Sequence, residues 1–133
     1  MMRYVSTFPV SLLTVVIICY LSFFQTPQTS LNEIPNIDKI VHICMYGGLT
    51  TLIWIEYLFH RPAFTIKAFL VGSTLIPMCM SGCIEILQEY CTANRSGDWL
   101  DFLANIIGIA CATLLGFYVW RPLFTKYHSS HEA

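Results

Sequence analysis

The chain has 133 residues, 56% hydrophobic and only 11% charged, with a formal net charge of −1, against roughly 25% charged residues in ordinary soluble domains. So few charges cannot cover a water-facing surface, and a domain of this size has too little interior to hide several long apolar runs. A nucleic-acid partner is excluded as well, because phosphate binding needs clustered Lys and Arg, and the seven present are scattered.

The pattern predicts an all-α fold: a bundle of four transmembrane helices forming a single domain over residues 1–133. Apolar runs fall at about residues 5–24, 40–59, 68–87 and 102–120, each near the ~20 residues that cross a hydrocarbon core. Strands are set aside because apolar and polar residues do not alternate, and a barrel needs at least about eight spanning strands. Pro9 falls in the first turn of the first run, where a missing N–H does little harm. That run also has the layout of a signal peptide, with Arg3 before it and a polar stretch after Phe24, but no clear small-residue cleavage site follows.

The second run opens with Asp38, Lys39 and His42, and positions 38, 42 and 46 are spaced by four, so Asp38, His42 and Tyr46 share one face. At its far end Glu56, His60 and Arg61 read as snorkelling groups, with Trp54 and Tyr57 as interfacial anchors. Gly47, Gly48 and Gly108 read as close helix contacts. Glu85 and Gln88 close the third run. Arg95, Asp98, Asp101 and Asn105 introduce the fourth, where Asp98 is placed to cap the helix. Tyr118 and Trp120 anchor one surface, Trp99 the other, and residues 126–133 read as a frayed polar end. Of six cysteines, five lie in apolar runs and Cys91 in a polar loop, which gives neither a disulfide framework nor a thiolate metal site.

Basic residues fix the expected direction, since those in short loops stay on the cytoplasmic side. Arg3, Arg61, Lys67, Arg121 and Lys126 fall on one side if both termini are cytoplasmic, leaving Lys39 and Arg95 on the other. The ionisable residues then gather at the outer helix ends, where facing one another avoids the desolvation cost of facing lipid.

Two readings stand for each group. His42 is either a neutral imidazole bonded to a neighbouring carboxylate or a general base, and Glu85, Asp98 and Asp101 are further acid–base candidates. Lys39 and Arg95 either grip a phosphate or carboxylate of a substrate, with Gln88 and Asn105 beside them, or form an internal ion pair. Asp38 and Tyr46 complete the polar cluster. Oxygen ligands for calcium or magnesium are available in Glu85, Asp98 and Asp101, but Lys39 and Arg95 balance them, so no metal or other cofactor is assigned.

Asp38-Lys39-x-x-His42, Glu85-x-x-Gln88 and Arg95-x-x-Asp98-x-x-Asp101-x-x-x-Asn105-x-x-Gly108, in this order and helix context, resemble the VanZ-like membrane proteins. The likeness runs from Asp38 to Gly108. Ile43 departs from it, standing where an aromatic commonly follows the histidine, and the first outer loop is short. The resemblance implies a bacterial envelope role, modest teicoplanin resistance being the trait of the first-named member, and implies no settled reaction. Three functions follow as expectations. The first is an envelope factor whose outer pocket binds a lipid-linked precursor, a polymer headgroup or a membrane partner protein. The others are an intramembrane enzyme on a lipid-linked substrate and a structural membrane subunit.

Overall fold

A computed structural model describes residues 7–24, 35–60, 65–91 and 97–131; Arg3, Arg61 and Arg95 lie outside these residues. Helix α1 spans Pro9–Phe23, with its proline in the first turn, and α2 spans Ile37–His60. A short α3, Ile66–Phe69, runs through a π-helical turn, Leu70–Leu75, into α4, Ile76–Cys91. Likewise α5, Trp99–Leu115, runs through a π-helical turn, Gly116–Trp120, into α6, Arg121–His131. The described residues contain no strand. The expected all-α bundle of four rods is what forms.

Three rods, Ile37–His60, Leu70–Cys91 and Trp99–Tyr127, are long and apolar enough to cross a membrane. The first is shorter: its 15 residues rise about 22 Å, against a hydrocarbon core of about 30 Å. Two boundaries shift functionally. Asp38 and Lys39 lie within α2, and Asp101 within the first turn of α5, so both sets project from rigid helix. The tail is helical further than expected: α6 continues to His131, with the Ser129 and Ser130 hydroxyls donating back to the Lys126 and Tyr127 carbonyls, while residues 132–133 lie outside the described residues. Cys91 closes α4 rather than sitting in a loop.

Helices α2 and α5 approach each other closely where Gly47 meets Gly108. A Cβ on Gly108 would overlap the Ile43 carbonyl oxygen, so backbone packs on backbone here. Gly48 instead meets open space, since it points off the shared face. Around this crossing Ile18, Tyr46, Leu49, Ile84 and Ile109 form one buried cluster, and Trp54, Leu58 and Phe69 form a second. Trp54 is therefore no interfacial anchor. It is 0% exposed and lies against Gly116 and Phe69, the residues that border the two π-helical turns. Tyr118 and Trp99, at 75% and 77% exposure, remain free to meet an interface.

Glu56 also departs from expectation. Rather than snorkelling, its carboxylate is buried and accepts from the Val10 and Ser11 backbone N–H groups and the Ser11 hydroxyl. These N–H groups belong to the first turn of α1, which has no donor-satisfying residue of its own at Phe8. At the other end of α1 the Gln88 amide donates to the Ser22 carbonyl at 2.7 Å. Both termini of the shortest rod are thus held by buried polar side chains from neighbours.

Candidate functional site

The starts of α2 and α5 and the end of α4 meet at one end of the bundle, and the polar residues meet with them. Lys39 is the centre. Its ammonium lies 2.6 Å from Asp38 Oδ2, 2.8 Å from Asp101 Oδ1 and 2.9 Å from Asp98 Oδ2. An ammonium has three donors, and here three carboxylates accept them all. Sequence spacing placed Asp38 beside Lys39; the helix packing brings in two partners from about sixty residues away.

Asp101 extends the network inward. Its second oxygen is 3.5 Å from His42 Nε2, while His42 Nδ1 lies 3.0 Å from Asn105 Oδ1. The Asn105 amide donates onward to Ser81 Oγ at 2.8 Å. A polar line of Lys39, Asp101, His42, Asn105 and Ser81 therefore descends from a half-exposed rim to a serine that is 0% exposed. The line exists because 101 and 105 are one helical turn apart on α5, facing 39 and 42 on α2.

Two carboxylates of α4 secure the chain entering α5. Glu85 Oε2 accepts from the Asp98 N–H at 3.1 Å, and Glu89 Oε2 accepts from the Gly97 N–H at 3.0 Å. Gly97 packs so closely on the Glu85 carbonyl that a Cβ would overlap it. Asp98 caps α5 as the spacing indicated, accepting from Leu100 N–H at 2.8 Å. That bond first, and the Lys39 ammonium second, hold the Asp98 carboxyl below its ordinary range.

Beneath this layer two buried polar atoms lack hydrogen-bond partners among the described residues, Glu85 Oε1 and the Tyr46 hydroxyl. Tyr46 faces Ser81 and Glu85 without a bond of ordinary geometry to either. Glu85 in turn sits within electrostatic reach of His42, Asp98 and Asp101.

The structure therefore brings together Asp38, Lys39, His42, Tyr46, Glu85, Asp98, Asp101 and Asn105, and Arg95 lies outside the described residues. Gln88 bonds instead to α1, away from Lys39. The spacing argument overlooked Ser81 and Glu89, although each stands four residues from Glu85 on the same helical face. Asp38, Asp98 and Asp101 present oxygens close enough together to surround a metal ion, but the Lys39 ammonium occupies the position among them. As for covalent chemistry, Asn105 stands between His42 and Ser81, so this serine does not contact the imidazole directly.

An all-α bundle with three bilayer-length apolar rods and a charged cluster confined to one end fits a helical membrane protein. The chain belongs to the VanZ/LLP1 family, whose model matches residues 8–121. No curated protein and no solved structure matches it.

Proposed function

We propose that this protein sits in the bacterial cytoplasmic membrane with both termini cytoplasmic, and that its acidic end faces outward and binds the headgroup of an envelope lipid or polymer. Occupancy of that pocket then modulates susceptibility to glycopeptides such as teicoplanin. The observation that carries the reading is the Lys39-centred cluster at one end of an otherwise apolar bundle. Charge in such a setting costs at least a few kcal/mol per group unless it is used or paired, and here it continues past what pairing requires. Family membership and the distribution of Lys and Arg support the placement.

The test is a deletion strain complemented with wild type, Asp98→Ala or Asp101→Ala, scored for teicoplanin susceptibility and for accumulation of the protein in the membrane. Loss of the drug phenotype in variants that still accumulate is expected; unchanged susceptibility on deletion removes the resistance element. One arrangement favours a second reading, an intramembrane enzyme: His42 between Asp101 and Asn105 has the geometry of an oriented acid–base group. Purified protein that leaves undecaprenyl-linked and phospholipid substrates intact, with and without divalent metal, would dispose of it.

A further inference from the structure

Resting on the headgroup-binding reading, we infer that the pocket selects a lipid headgroup presenting a primary ammonium, and discriminates against anionic headgroups. The donor side of the site is full while the acceptor side is in surplus. Lys39 spends its three N–H donors on Asp38, Asp98 and Asp101, so it cannot grip an incoming phosphate without releasing a carboxylate. Three carboxylates, from Asp38, Asp98 and Asp101, share this one ammonium. Such a site favours a cationic group over an anionic one.

A second, independent observation comes from the layer below. Glu85 is 7% exposed, and its Oε1 has no hydrogen-bond partner among the described residues. Buried acceptors left open are uncommon and mark places where a donor belongs. At the rim, Asp38 and Asp98 side chains are 54% and 42% exposed, which gives an ammonium access. The source is lipid because apolar residues flank this end on its outside: Ile40 and Val41 on α2, Leu100 and Leu103 on α5, with Trp99 exposed at the entry to α5. Acyl chains lie along these residues with the headgroup over the cluster.

Purified full-length protein in mild detergent is titrated with short-chain phospholipids that differ only in headgroup: ethanolamine, its trimethylated form, or glycerol. Thermal stabilisation and Trp99 fluorescence, with Trp99→Phe as the reference for the latter, report binding. Ethanolamine should bind on the order of tenfold tighter than glycerol, as one charge-assisted hydrogen bond near a surface allows, with the trimethylated headgroup weaker for want of N–H donors. Asp38→Asn and Glu85→Gln should each remove most of that preference; if Glu85→Gln does not accumulate, the rim variant Asp38→Asn carries the test. Equal or tighter binding of the glycerol lipid, or variants that keep the full preference, overturns the ammonium assignment and leaves headgroup binding standing. Free ethanolamine acting as strongly as the lipid overturns the lipid assignment. No response to any of the lipids overturns both this inference and the headgroup pocket.

Discussion

The Asp98 carboxylate accepts from the Leu100 N–H and from Lys39, and both bonds need its ionised form. Its folded-state value is lowered from an ordinary 3.8, so its contribution is fully present above that value and disappears as pH falls through the lower folded one. Thermal scans from about pH 6 to about pH 3 should show wild type losing stability below about pH 4 more steeply than Asp98→Asn. The side chain is 42% exposed, so the difference is small and shrinks with added salt. Gly108 offers a larger effect. Gly108→Ala forces α2 and α5 apart and should cost about 1–3 kcal/mol, read as a lowered melting temperature. Gly48→Ala, facing open space, should stay within about 0.5 kcal/mol of wild type.

Among the helices, α1 depends most on its neighbours. Its 15 residues bury little beyond Ile18, Ser11 and Ser22, and its two ends are secured by Glu56 of α2 and Gln88 of α4. Glu56→Ala strands two N–H groups and a hydroxyl and should destabilise by about 1–3 kcal/mol; Gln88→Ala should cost a similar or smaller amount. Because the two clamps sit at opposite ends of the helix, the double variant should show nearly additive losses in melting temperature. Strong coupling between them would mean that α1 docks as an all-or-none unit. Helix types and their apolar faces were legible in the sequence because hydropathy over twenty residues is a coarse, robust signal. The clamps were not, because Glu56 and Gln88 take their meaning from a helix about 45 and 66 residues away. Spacing along one helix reports a shared face and never the partner opposite.

For the molecule as a whole, charge is unevenly distributed along the bundle: Asp38, Glu85, Glu89, Asp98 and Asp101 lie with Lys39 at one end, while Lys67, Arg121 and Lys126, with the buried Glu56, lie with the far ends of α2 and α5, where Phe59 packs on Phe124. The orientation proposed for this polarity is testable with a native residue. Cys91 is exposed and closes α4 at the acidic end, so a membrane-impermeant maleimide should label intact cells through Cys91 and fail to label Cys91→Ser. Labelling only after permeabilisation would invert the topology. The membership of the acidic end was largely readable in advance, since Asp38, His42, Asp98, Asp101 and Asn105 recur at helical spacing. Its charge balance was misjudged: Glu89 was passed over, and Lys39 emerged as the hub of three aspartates only once α5 was laid against α2.

The π-helical turn at Gly116–Trp120 carries a consequence for how the chain tolerates change in length. An i→i+5 rung encloses one residue more than an α-helical rung. Deleting one residue there would tighten the rung to the α form while everything downstream keeps its facing, with Phe124 still against Phe59. The same deletion within Trp99–Leu115 would swing the following side chains by about 100° and carry them off their partners. The turn is a place where the thread holds one residue of slack.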